Sequence, residues 1–250
     1  METIDIILFL LGILYTIIWS SSFYFQIALN YKVKHSDGYS LNFQFFNFFG
    51  FAYYSVSSWH YLIVQKADID SIIDLAFALH GFVITIVILG QTFYYPRIVN
   101  RLNSGAILIL LITIVMSVVY YFLNINVYDG KTSDTWIFIG LSKALLSLVK
   151  YLYQIFLNYD RKSTHGFSII NVILDMTGGI TSLIQVILKI LWYSEEVFGD
   201  KTNIPKMALS VVVLLFDLIL IYQHYGIYRG RDITAINMDS EVMKKTENLI

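Results

Sequence analysis

The sequence predicts an all-α membrane protein with seven transmembrane helices, and three observations predict it. Of the 250 residues, 57% are hydrophobic and only 14% are charged, where soluble domains carry about a quarter charged residues. The apolar residues gather into seven runs, each near the roughly 20 residues that a helix needs to cross a bilayer core, and the mean hydropathy is +0.64. Only Pro96 and Pro205 interrupt the chain, which suits long unbroken helices. Backbone groups in lipid must be satisfied inside each segment, so helices are the spanning form that fits runs of this length.

Taken in order, the spans are expected at residues 4–26, 41–64, 72–95, 105–125, 135–157, 168–193 and 204–228. Short polar intervals separate them, among them HSDG at 35–38, KADID at 66–70 and the stretch 160–166. The first run follows Glu2 and Asp5 and no small-residue cleavage site succeeds it, so it is expected to remain as a permanent helix. Orientation is read from Lys and Arg in short loops. One side carries Lys32, Lys34, Arg97, Arg101, Arg161 and Lys162, and the C-terminal segment adds Arg229, Arg231, Lys244 and Lys245. The other side is acidic, with Glu2, Asp5, Asp68, Asp70, Asp129, Asp134, Glu195, Glu196 and Asp200, and its positive charges are fewer, at Lys66, Lys131, Lys189, Lys201 and Lys206. The N-terminus is therefore expected outside the cytosol and the C-terminus within it.

Composition also excludes several classes. The chain has no cysteine, so disulfides, thiolate metal sites and cysteine nucleophiles are ruled out. A net charge of -1 argues against nucleic acid as a partner. No nucleophile–base pair, metal-ligand cluster or nucleotide loop is visible, so neither an enzyme nor a cofactor or metal site is expected.

Internal repetition is the next signal. Residues 22–50 align without a gap to residues 150–178. Gln26 falls on Gln154, Asn30 on Asn158, Lys34 on Lys162, Gly38 on Gly166, Ser40 on Ser168 and Gly50 on Gly178, while Asn47 falls opposite Asp175. A shared apolar background does not place Gln, Asn, Lys and Gly in register. The expected architecture is 3+1+3: a first three-helix repeat at 1–100, a linker helix at 101–130, a second, parallel repeat at 131–230 and a cytosolic tail at 231–250. Parallel repeats about an axis along the membrane normal are a transporter plan with the site between the halves.

Ionisable groups at bilayer depth cost about 2.5–3.5 kcal/mol each on insertion scales and usually face a cavity. Helical spacing places Lys143, Lys150, Gln154 and Asn158 on one face of the fifth span. Asn171, Asp175, Gly178, Ser182 and Gln185 share a face of the sixth, Tyr15, Trp19, Ser22, Gln26 and Asn30 stripe the first, and Ser210, Asp217, His224 and Tyr228 stripe the seventh. Four polar stripes on oily helices imply a wet internal pathway. The expected substrate-binding set is Lys150, Asn158, Asn171, Asp175, Asn47, Lys143, Gln154 and Trp19. Asp175, Asp217 and Asp74 are the candidate proton carriers. A lysine, amides and a carboxylate suit a zwitterion, with Lys150 toward a carboxylate and Asp175 toward an ammonium or holding a proton. The competing readings are an ion pair between Lys150 and Asp175 that locks the bundle, and snorkelling of Lys143 toward a helix end.

The motifs FYFQ at 23–26, SDGYS at 36–40, KYLYQ at 150–154, KSTHGFS at 162–168, NVILDMTGG at 171–179 and QH at 223–224 resemble the cystinosins of the PQ-loop family. Both motifs lack the proline of the pair, which is Phe25-Gln26 in one copy and Tyr153-Gln154 in the other. The helices are expected to bend there all the same, with the two glutamines satisfying loosened backbone groups. The resemblance implies proton-coupled symport of L-cystine out of a lysosomal or vacuolar lumen by alternating access, with protons as the coupling ion. Within the transporter class, another amino acid or a sugar, as in the SWEET carriers, is the alternative. From a different class, a sorting receptor of the KDEL-receptor type fits the same architecture.

Overall fold

The computed structural model describes residues 3–64, 69–97, 100–126, 132–199 and 203–230. The expected tail at 231–250, with Arg231, Lys244 and Lys245, lies outside the described residues, as do Lys66, Asp68, Asp129 and Asp200. Seven α-helices follow one another: α1 Thr3–Val33, α2 Leu41–Val64, α3 Ile69–Tyr94, α4 Ser104–Asn126, α5 Thr132–Arg161, α6 Ile169–Gly199 and α7 Asn203–Tyr222. A π-helical turn, Gln223–Ile227, ends α7. No strand occurs among the described residues. Each expected span coincides with one helix, and the helices extend beyond the apolar runs mainly at their polar ends.

By length and composition α1, α3, α4, α6 and α7 each qualify to cross a membrane. The other two are diluted by polar residues turned inward. Asn42, Gln44, Asn47, Ser57 and Ser58 are buried on α2, and Lys143, Ser147, Lys150, Gln154 and Asn158 on α5. Large apolar side chains instead cover the outside, Leu108, Leu111, Ile112 and Val115 of α4 among them. A polar interior inside an oily surface inverts a soluble fold and suits a bilayer.

The packing repeats itself. Helix α3 lies against α1 and α2, and α7 lies against α5 and α6. Across these groups α1 packs on α6 and α2 on α5, while α4 packs against α5. The loops repeat too. Ser40 caps α2 by accepting from the Phe43 N–H at 3.3 Å, and Ser168 caps α6 by accepting from the Asn171 N–H at 3.3 Å. Lys34 and Lys162 both take left-handed backbone, with φ of 58° and 53°, where a non-glycine residue is uncommon. The two loops meet back to back: a Cβ on Gly38 would lie 2.1 Å from the His165 carbonyl oxygen. Only glycine allows that approach.

Both α1 and α5 run unbroken as α-helix through Phe25 and Tyr153. The expected repair role of the glutamines is corrected by their partners. Gln26 accepts from the Ser168 N–H at 2.9 Å and donates to the Gly166 carbonyl at 3.1 Å. Gln154 accepts from the Ser40 N–H at 2.8 Å and donates to the Gly38 carbonyl at 3.0 Å. Each glutamine thus clasps the loop of the opposite group instead of mending its own helix. A helix with a complete backbone ladder offers no loosened group to satisfy, whereas loop N–H and carbonyl groups buried at a junction require partners.

Candidate functional site

The clasp extends into a polar layer at this end of the bundle. Gln26 and Gln154 also donate to Asn30 and Asn158, at 2.8 Å and 2.9 Å. Asn30 donates to Gln91 at 3.2 Å, and Asn158 to Gln223 at 2.9 Å. Gln91 and Gln223 close the circuits by donating to the carbonyls of Ile27 and Ile155, at 3.2 Å and 3.1 Å. Gln154 and Asn158, expected on a substrate, therefore belong to this junction. Gln91 was not among the candidates, because one glutamine on an apolar helix carries no signal until its partner is known.

Beneath the junction lies a cavity of about 30 Å³ between α1, α2, α3, α5, α6 and α7, with Trp19, Asn47, Lys143, Lys150 and Asp175 on its wall. Lys150 donates to Asn47 Oδ1 at 2.9 Å, and its ammonium lies 4.8 Å from the ring centres of Phe43 and Tyr151. The Tyr151 hydroxyl donates to Asp175 Oδ2 at 2.6 Å. Trp19 donates from Nε1 to the Asp175 backbone carbonyl at 2.8 Å and stacks on Phe77 at 5.4 Å. Its ring covers Gly178, where a Cβ would come within 2.5 Å of Cδ1. Opposite charges therefore face one cavity while each is anchored by a neutral partner, so the bundle-locking ion pair is not formed.

Lys143 does not snorkel. Its side chain is buried, and the ammonium lies 4.0 Å from the ring centres of both Phe51 and Tyr54. Asp217 is fully buried behind Tyr151, and neither carboxylate oxygen meets a donor at hydrogen-bonding geometry, although the Tyr151 hydroxyl lies close by. Asn171 is buried with Oδ1 unpartnered, and Asn47 Nδ2 is unpartnered as well.

Asp74 sits apart, toward the end opposite the loop junction. It pairs with Lys206 at 3.6 Å and accepts from the Tyr15 hydroxyl. Lys206 also donates to Tyr15 at 2.9 Å and to Gln185 Oε1 at 2.8 Å, and Gln185 donates to the Leu8 carbonyl at 2.8 Å. Lys206 was missed from sequence because it stands at the start of the last span among loop charges. Its place one turn before Ser210, on the same face as Asp217, is the signal that finds it. Asp74 and Lys206 each precede their helix's glutamine, Gln91 or Gln223, by seventeen residues. They are thus matched positions of the two groups, joined to each other.

Two-fold packing, a charged cavity between the groups and an apolar exterior define a multi-pass helical membrane protein with an internal repeat. The PQ loop repeat family matches residues 7–63 and 135–193. A cystinosin homolog of Dictyostelium discoideum is 34% identical, covering 92% of this chain and 84% of the relative. The cystinosin of Drosophila melanogaster is 33% identical over 87% of this chain, which spans only 57% of that relative's length. A cystine transporter of Saccharomyces cerevisiae is 32% identical, covering 89% and 94% of the two chains. The chain belongs to the cystinosin family of PQ-loop proteins. These relatives are named as transport proteins or cystinosins, and none as an enzyme.

Proposed function

We propose that this chain is a proton-coupled symporter that carries L-cystine from a lysosomal or vacuolar lumen to the cytosol by alternating access. The observation that carries this reading is the pair Lys150 and Asp175. They face one cavity with opposite charges held apart by Asn47 and Tyr151. A zwitterion supplies the missing partner to each, its carboxylate to Lys150 and its ammonium to Asp175. The substrate is taken from the yeast relative, described as a cystine transporter, and the compartment from the resemblance to cystinosins.

In this reading α1–α3 and α5–α7 are two parallel three-helix halves joined by α4. The glutamine clasp closes the cytosolic end, and the Asp74–Lys206 pair with Tyr15 and Gln185 closes the lumenal end. The cavity, about 30 Å³, is far smaller than sites that hold small molecules, so substrate entry requires the helices to part. Opening either end requires a different set of bonds to break. The lumenal set contains an ion pair, whereas the cytosolic set is built from neutral amides.

Coupling is assigned to Asp175, with Asp217 and Asp74 in support. A carboxylate without a donor is costly in a buried site, and a bound proton removes that cost at Asp217. The Tyr151 hydroxyl donates to Asp175 and lies close to Asp217. A two-unit pH difference supplies about 2.7 kcal/mol per proton, enough for roughly a hundredfold accumulation. The reading is tested by uptake into proteoliposomes of radiolabelled cystine, arginine, leucine and glucose, with and without acid on the lumenal face. Acid-driven cystine uptake supports it; a preference for another solute, or indifference to the gradient, overturns the corresponding part.

A further inference from the structure

The first and fifth helices each end against a lysine in a backbone conformation that glycine adopts most easily. Lys34 and Lys162, matched positions of the repeat, take φ of 58° and 53°. Glycine closes a helix this way without the steric cost that a side chain brings. Strain repeated at matched positions points to a use for the side chain. In both copies the lysine lays its ammonium on the tyrosine three residues earlier. Lys34 lies 3.4 Å from the ring centre of Tyr31, and Lys162 lies 3.2 Å from that of Tyr159. The helix dipole favours a cation at this end but does not require this arrangement. Lys32 and Arg161 already stand in the last turns of α1 and α5 on ordinary helical backbone.

We infer that the pairs Lys34–Tyr31 and Lys162–Tyr159 are two matched sites for the phosphate of an anionic phospholipid, one on each half of the bundle. Neither pair lines the cavity, so the inference does not depend on which solute is carried. Both lysines are exposed, and Tyr31 and Tyr159 are 65% and 57% exposed. The tyrosines continue the exposed apolar faces of their helices, after Ile17 and Tyr24 on α1 and Leu145 and Phe156 on α5. A tyrosine that ends such a face stands at headgroup level, which makes lipid the occupant. The ring attracts the ammonium from one side and leaves the other N–H donors for phosphate, which lysine binds as a point charge. Holding the four-carbon stem on the ring also reduces the freedom lost when a headgroup binds. The two sites are unequal. Lys32 of the first copy is matched by Asp160 in the second, so the first is the more cationic and should hold its lipid more tightly.

The test is native mass spectrometry of the full chain in a neutral detergent, titrated with phosphatidylglycerol or with phosphatidylcholine. The wild type should retain two phosphatidylglycerol molecules about tenfold more tightly than phosphatidylcholine, the scale of a hydrogen bond to a charged group. Lys34→Gly and Lys162→Gly keep the left-handed backbone, relax it and delete the ammonium. Each should remove one of the two preferred molecules, with Lys34→Gly the larger loss. Because glycine relieves strain, the double variant should melt no lower than the wild type in phosphatidylcholine nanodiscs. Arg101→Gln/Arg229→Gln removes two exposed charges outside both pairs and should leave the preference intact. An equal loss in that control would assign the preference to the general field of this end and overturn the sites. So would a wild type that holds both lipids alike, or a double glycine variant that keeps the preference. A double variant that melts well below the wild type would make the lysines supports of the fold and overturn the inference as well. Displacement of the bound lipid by equimolar glycerol phosphate would overturn the assignment to lipid in favour of free phosphate.

Discussion

Lys150 and Asp175 face one cavity but bond to Asn47 and Tyr151, and that separation makes single substitutions informative. In the proposed scheme Lys150→Ala removes the partner of the substrate carboxylate, while Asn47 loses one bond. Cystine affinity should fall about ten- to a hundredfold with a small change in thermal stability. A locking ion pair would behave oppositely, with Lys150→Ala unstable and Lys150→Ala/Asp175→Ala restored; denaturation of the purified variants beside cystine binding separates the two. Asp175→Asn keeps the shape and removes the titratable group, much as Asn47 does at the matched position of the other half. It should abolish acid-driven accumulation and weaken binding. Asp217→Asn should impair accumulation while retaining more of the binding, since Asp217 lies behind Tyr151. Accumulation by Asp175→Asn under lumenal acid would remove it as the coupling group. These carboxylates and lysines were legible because charge on an apolar run is rare. The cage around Lys143 was not, because with 18 Phe and 19 Tyr in the chain no aromatic stands out until the helices pack.

Among elements, the helices were legible nearly to their ends because lipid enforces one long apolar run per span. The fifth was the least apolar and still readable, since its polar residues recur at helical spacing. What the sequence did not reveal is where Gln26 and Gln154 reach. Their position in the motif suggests a local repair, yet their partners lie 142 and 114 residues away in the opposite loops. Periodicity reports faces, and it says nothing about which face meets which. The consequence is a prediction about the clasp. Gln154→Ala leaves the Ser40 N–H and Gly38 carbonyl unpaired, each costing about 1–3 kcal/mol while buried. In the alternating-access reading that cost falls only on the state with the loop end closed, so opening becomes easier. The chain contains no cysteine, so a single Thr164→Cys reports the loop end without background. Its labelling by a water-soluble thiol reagent should quicken at least tenfold in Gln154→Ala. An unchanged rate would mean that the clasp holds the fold and does not gate it.

For the whole molecule, the repeat was visible in aligned residues, but not that its matched positions Asp74 and Lys206 join each other. The offset of the third helices differs from that of the first two, so they fall outside the aligned stretch. Their pairing gives the molecule a charged closure at one end and an uncharged amide closure at the other. Orientation decides which compartment each closure meets. Lys32, Lys34, Arg97, Arg101, Arg161, Lys162 and Arg229 all belong to the amide end, and short loops rich in Lys and Arg stay cytosolic. A pH-sensitive fluorophore on the C-terminus should therefore report neutral cytosol in intact cells, and one on the N-terminus an acidic lumen. Quenching at the C-terminus would reverse the assignment. With the charged end lumenal, Asp74→Asn imitates protonation of that closure, weakens its hold on Lys206 and should favour the lumen-open state. Two states that exclude each other require a reciprocal effect at the far end. Leu8→Cys, beside Gln185 at the charged closure, should label faster in Asp74→Asn, while Thr164→Cys in the same background should label more slowly. Faster labelling at both ends would show a loosened bundle in place of an alternating one, and the two closures would then be independent supports of the fold.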